Sequence, residues 1–202
     1  TRVCVYDRAG HGWSELADSP QDGAQTATDL LTLLERGDVP GPYVLAGHSF
    51  GGLYVQSFAA QYPDDVAGLV LVDTTAPAAE PATASPDDES SYDIMGRVSA
   101  LLSSTAELGV GRLLSQGSYD SLPPQSADEA EATGSTASNL QSTIDEYLQA
   151  NTSAGQAAAL DDFGDKPLVV LTAGSGSDAD SIAAHDDLAA LSTNSAHRVI
   201  DG

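Results

Sequence analysis

The stretch Tyr43-Val-Leu-Ala-Gly-His-Ser-Phe-Gly-Gly52 constrains the fold more than any other part of the chain. Tyr43, Val44, Leu45 and Ala46 read as a short buried strand, and Leu53, Tyr54, Ser57, Phe58 and Tyr62 recur with a helical period. Between them lies Gly47-His48-Ser49-Phe50-Gly51. A G-x-S-x-G pentapeptide is common by chance, but between a strand and a helix it has a mechanical meaning. A reversal that sharp puts Ser49 in a strained conformation, and Gly47 and Gly51 are expected to be the side-chain-free neighbours that allow the close approach. The Ser49 hydroxyl then projects above a sheet at a helix N-terminus. There the Phe50 backbone N–H can face a developing oxyanion.

Composition excludes several partners. Thirty acidic residues oppose seven basic ones, for a net charge of −23, and Lys166 is the only lysine. Nucleic acid and anionic membranes want Lys and Arg clusters, so neither is an expected partner. No apolar run approaches the ~20 residues a bilayer span needs. Cys4 is the only cysteine, which leaves no intrachain disulfide and no cysteine metal site. It is expected to be a small buried hydrophobe in a strand. Asp outnumbers Glu 22 to 8, a profile shared by proteins of high-salt and of high-GC organisms. Thr1 is not a natural start, so a leader segment would not be visible.

Strands and helices alternate along most of the chain. Val3-Cys-Val-Tyr-Asp7 reads as a strand closed by the turn Arg8-Ala-Gly-His-Gly12. Ser19, Pro20 and Asp22 look like the cap, first-turn proline and supporting acid of a helix with Leu30, Leu31, Leu33 and Leu34 on its face, ended by Gly37. Strand 43–47, helix 51–62 and the apolar strand Val66-Ala-Gly-Leu-Val-Leu-Val-Asp73 follow. Residues 76–91 read as a linker. Val98, Leu101 and Leu102 mark one later helix, and Leu140, Ile144, Tyr147 and Leu148 mark another; residues 115–138 between them lack a pattern. Strand 167–172, helix 180–191 and strand 197–200 close the chain. Such alternation implies an α/β fold with a mostly parallel sheet. Residues 1–74 and 166–202 would form its core, and 75–165 a helical cap inserted over the strand C-termini, where such sheets bind ligands.

Four segments together resemble the α/β-hydrolase fold family: Tyr6-Asp-Arg-Ala-Gly-His-Gly-Trp-Ser14, Gly47-His-Ser-Phe-Gly-Gly52, Leu69-Val-Leu-Val-Asp73 and Pro167-Leu-Val-Val-Leu-Thr-Ala-Gly174. The resemblance implies a nucleophile, an acid and a histidine in that chain order. Ser49 matches the nucleophile and the Phe50 N–H one oxyanion donor. Asp178 is the first choice of acid, with helix capping as its structural alternative, and Asp73 is the second. The histidine departs from the pattern. It should follow the last strand, but the chain stops at Gly202, so it is expected beyond that residue. His48 should point away from the serine, His11 should shape the floor of the site, His185 should be a surface residue, and His197 should lie at the wrong end of its strand. The second oxyanion amide is also expected outside the chain, which reads as truncated at both ends and prone to aggregate when made alone. The implied activity is hydrolysis of an ester or related acyl bond in a small-molecule substrate, with no metal or other cofactor. The alternative is a non-catalytic scaffold that binds a ligand or partner.

Overall fold

A computed structural model describes residues 2–77, 122–134, 136–175 and 177–201. The chain divides into two compact units, one of Thr1–Gln21 with Ala84–Gln149 and the other of Asp22–Thr83 with Ala150–Gly202.

The second unit holds a four-stranded sheet with strands β1 (Tyr43–His48), β2 (Val66–Val72), β3 (Leu168–Ala173) and β4 (Ser195–Ile200). They run in the order β1-β2-β3-β4, every neighbouring pair parallel. Helices α1 (Gly23–Arg36) and α2 (Phe50–Gln61) belong to this unit. Leu69 and Leu71 of β2 and Leu168 and Val170 of β3 line one sheet face. They form a core with Ala27 of α1 and with Val55, Phe58 and Ala59 of α2. Eight consecutive residues of α2, Gly52 to Ala59, are buried, the polar Gln56 and Ser57 among them, so this helix is enclosed around its whole circumference. The other sheet face presents Val44, Ala46, Val70, Val72, Val169, Leu171 and Ile200. Among these, Val44 is 67% and Ile200 51% exposed.

Asp22, not Ser19, caps α1: its side chain accepts from the Gln25 N–H at 2.9 Å. A short helix, Ala150–Ala157, was not expected from the sequence. Its side chains satisfy the first amides of α1, which have no partner within their own helix. Ser153 Oγ accepts from Gly23 N at 3.0 Å, and Gln156 Oε1 from Ala24 N at 2.8 Å. The last helix of the unit is Ala179–Ala189, and its Leu188 and Ala189 join the same core.

In the first unit the described helices are Pro124–Gly134 and Ala137–Leu148. The earlier of these lies in the stretch 115–138, where the sequence carries no pattern. Its polar side chains carry no apolar period, and none of its residues is buried. Taken in chain order, these two helices are α3 and α4, Ala150–Ala157 is α5 and Ala179–Ala189 is α6. The helix expected around Val98, Leu101 and Leu102 lies outside the described residues, as does most of the 76–91 linker. Residues 3–7 form no strand. Val3 and Val5 are 85% and 93% exposed, and Cys4 is exposed rather than buried. An apolar run makes a strand only where a neighbour supplies ladder hydrogen bonds, and among the described residues none does so here.

Candidate functional site

The turn between β1 and α2 is as sharp as its sequence implies. Ser49 has φ 51° and ψ −123°, a left-handed conformation that a residue with a side chain adopts only under constraint. The constraint comes from the segment after β2. Ser49 N donates to Val72 O at 3.1 Å, while Ser49 O accepts from Gly52 N at 3.0 Å and Thr75 N at 3.3 Å. The Thr74 hydroxyl donates to the same oxygen at 3.0 Å. A Cβ on Gly47 would stand 2.3 Å from Gly51 O, so Gly47 is obligatory. The second obligatory glycine is Gly52 rather than the expected Gly51. A Cβ at position 52 would meet Thr74 Oγ1 at 1.5 Å, whereas one at position 51 meets nothing within 4 Å. Ser49 is half-buried and its side chain does not cap α2. Phe50 opens that helix, so its N–H lies at the positive end of the helix dipole.

The two acids differ in their surroundings. Asp178 is exposed and caps α6, accepting from Ser181 Oγ at 2.7 Å and Ser181 N at 2.8 Å. Those bonds, the hydroxyl's first, hold its carboxyl below the usual carboxylate value. Asp73 has φ 43° and directly follows β2, whose last residue, Val72, accepts from Ser49 N. Its Oδ1 accepts from Ala173 N at 3.2 Å.

The four histidines fall at three places, with His185 and His197 together, their ring centroids 6.1 Å apart. His48 is exposed on the strand that leads into the turn. His185 is a core residue only 4% exposed, not a surface one. Its helical phase could have revealed this, because it lies three residues before the buried Leu188. His185 Nε2 is 2.8 Å from Thr74 O and its Nδ1 is 2.7 Å from Thr172 Oγ1. His197 lies within β4, with Nε2 2.7 Å from the same hydroxyl and Nδ1 2.6 Å from Asp186 Oδ1.

His11 belongs to the first unit, where Glu146 of α4 gathers the side chains of Arg8 and His11. Arg8 Nε donates to Glu146 Oε1 at 2.8 Å, and an Arg8 terminal nitrogen to Oε2 at 2.9 Å. His11 Nε2 is 3.1 Å from Oε1, and its Nδ1 is 2.9 Å from Asn139 Oδ1. The Glu146 bond raises His11 above 6.5 against the opposing effect of burial. Burial pushes Glu146 up, but the bonds and charges of His11 and Arg8 outweigh it and hold the carboxyl below 4.5.

Among the described residues no group of three or more His, Cys, Asp and Glu is placed to hold a metal ion, and no helix is long and apolar enough to cross a membrane. A 74-residue segment is 50% identical to part of an uncharacterized protein of Schizosaccharomyces pombe, covering 36% of this chain and 14% of that protein. A 72-residue segment is 43% identical to the lipase LipV of Mycobacterium tuberculosis, covering 35% of this chain and 26% of the lipase. The matches thus span a small part of the length of these curated relatives. The fold is similar to that of a thermophilic esterase from Thermogutta terrifontis, with a TM-score of 0.64 and 24% identity over 96% of this chain and 69% of the esterase. Epoxide hydrolases are among the other solved structures of similar fold. The family model described as "alpha/beta hydrolase fold" matches residues 1–202, and the chain belongs to that family.

Proposed function

We propose that the chain carries the nucleophile of a serine hydrolase that cleaves an ester or related acyl bond through an acyl-enzyme. The observation that carries this reading is Ser49 at φ 51° between β1 and α2, with its peptide oxygen held by three donors. A hydroxyl presented on a rigid turn at a helix N-terminus suits attack on a carbonyl carbon, and the Phe50 N–H suits the oxyanion that forms. A serine at this position also favours acyl chemistry over the epoxide opening named for some structural neighbours.

Asp178 is the proposed acid and Asp73 its alternative. Asp178 sits at the start of α6 beyond β3, in the family's order. Asp73 adjoins the segment that holds Ser49. The base is proposed to lie outside the four histidines of this chain, because His11, His185 and His197 have both ring nitrogens engaged within the fold and His48 is exposed on β1 before the turn. The chain alone is then inert toward esters, and residues 75–165 are proposed to set substrate choice in the whole protein. A non-catalytic scaffold remains the competing reading, favoured by the capping role of the Asp178 carboxylate.

Labelling of the whole protein with a fluorophosphonate probe tests the assignment. We expect labelling that is abolished by Ser49→Ala. Labelling that persists in that variant would refute Ser49 as the nucleophile. Ester turnover by the chain alone, lost on His197→Ala, would move the base to His197.

A further inference from the structure

A continuous line of hydrogen bonds runs through the second unit from its surface to the serine turn. Asp186 Oδ1 meets His197 Nδ1 at 2.6 Å, and His197 Nε2 meets Thr172 Oγ1 at 2.7 Å. That hydroxyl meets His185 Nδ1 at 2.7 Å, and His185 Nε2 meets Thr74 O at 2.8 Å. Thr74 Oγ1 then donates to Ser49 O at 3.0 Å. His185 and Thr172 are 4% and 1% exposed, so the middle of the line is dry.

The direction of each bond follows from the groups. Thr74 O only accepts, so His185 Nε2 bears a hydrogen. Thr172 has one hydroxyl hydrogen, which serves at most one of the two imidazole nitrogens it touches. The other nitrogen must itself donate. With an ionised Asp186 accepting from His197 Nδ1, all four contacts are hydrogen bonds at once only when the two rings carry at least three N–H hydrogens. Two neutral rings carry two. The charged groups around the line are few. Asp186 faces His197, Asp73 takes the Ala173 N–H, Arg198 lies on the other face of β4, and β3 has no ionisable side chain.

We propose that His185 is a positioning residue for the Ser49–Phe50 peptide. This rests on Ser49 being the nucleophile. His185 fixes the Thr74 carbonyl, and thereby the Thr74–Thr75 segment that supplies two of the three donors to Ser49 O. A trans peptide is planar with its C=O and N–H opposed, so the donors that aim Ser49 O also aim the Phe50 N–H. Among the described residues the cis peptide bond is Gly41–Pro42. His185 therefore orients the proposed oxyanion donor without touching substrate.

Two polar substitutions separate the links. His185→Gln places an amide nitrogen near the former Nε2 and keeps a donor for Thr74 O, while His185→Asn places one near Nδ1 and leaves Thr74 O without it. In the chain as it stands, amide hydrogen exchange at Gly52 and Thr75 should quicken about tenfold in His185→Asn and stay within about threefold in His185→Gln. In the whole protein, the fluorophosphonate labelling rate should fall about tenfold in the Asn variant and recover in the Gln variant. Equal behaviour of the two variants, or faster exchange spread evenly over β2 and β3, would overturn the proposal. So would a bare His185 Nε2 in the imidazole ¹⁵N spectrum of the unsubstituted chain, a reading that needs no variant to fold. Absence of labelling in the parent protein would instead count against Ser49, leaving the exchange measurement to judge His185.

Discussion

The turn at 47–52 and the turn at 8–14 both rest on glycine, yet different forces hold them. The first is fixed by backbone donors and close packing: three hydrogen bonds to Ser49 O, with Gly47 and Gly52 pressed against neighbours. None of those three donors titrates between pH 4 and 8. The second has Gly10 and Gly12 at φ 74° and 53° and is tied down by ionic side chains, Arg8 and His11 on Glu146. The contrast teaches where each turn is fragile. A methyl group should break either turn, since a Cβ on Gly10 would stand 1.8 Å from Ser142 Oγ and one on Gly12 2.3 Å from Asp7 Cγ, but only the 8–14 turn should also fail when a charge is removed.

The sharpest way to break the comparison is a methyl scan of the serine turn. Gly52→Ala and Gly47→Ala force an added Cβ into Thr74 Oγ1 and Gly51 O, and each should cost more than about 3 kcal/mol in chemical denaturation. Gly51→Ala, with open space around it, should be neutral or gain up to about 1 kcal/mol from helix propensity. Equal losses at positions 51 and 52 would contradict the packing described.

Removing the charge comes next. Glu146→Gln leaves Arg8 and His11 without their carboxylate and should cost roughly 1–2 kcal/mol, because Arg8 is a third exposed. It should also lower the His11 pKa in an NMR titration, since the Glu146 bond is what raises it.

The smallest effect is on pH. His11 is raised above 6.5, so its contribution is complete below 6.5 and is lost as pH rises through the folded value. Glu146 is lowered from 4.5, so its contribution is complete above 4.5 and is lost as pH falls through its folded value. Hydrogen exchange in α4 should therefore be slowest between about pH 4.5 and 6.5, after correction for intrinsic rates. A flat corrected profile across that range would deny the ion cluster its role.

The sheet was largely legible because β1, β2 and β3 are apolar runs bounded by turn residues, and α1, α2, α4 and α6 carry a helical period. Three kinds of feature were not legible. Val3 to Asp7 opens with an apolar run like that of β1, but such a run cannot tell whether a partner strand stands beside it. Ala150–Ala157 has small and polar residues with no apolar stripe, and its place depends on the amides of a helix more than a hundred residues earlier. At the site, Ser49 and its strained turn were readable from local spacing. Gly52 was missed because its constraint comes from Thr74, twenty-two residues away. His185 was misplaced because polarity suggested solvent while its helical phase pointed to Leu188.

The exposed apolar side chains of the sheet and the charge of −23 act over different ranges. Val44 and Ile200, 67% and 51% exposed, attract other surfaces only at contact, while like charges repel over a Debye length. That length is about 8 Å at 0.15 M salt and about 3 Å at 1 M. In colloidal terms the chain is a charge-stabilised particle with sticky spots. Added salt therefore shortens the repulsion and leaves the adhesion, so the osmotic second virial coefficient should turn downward as ionic strength rises.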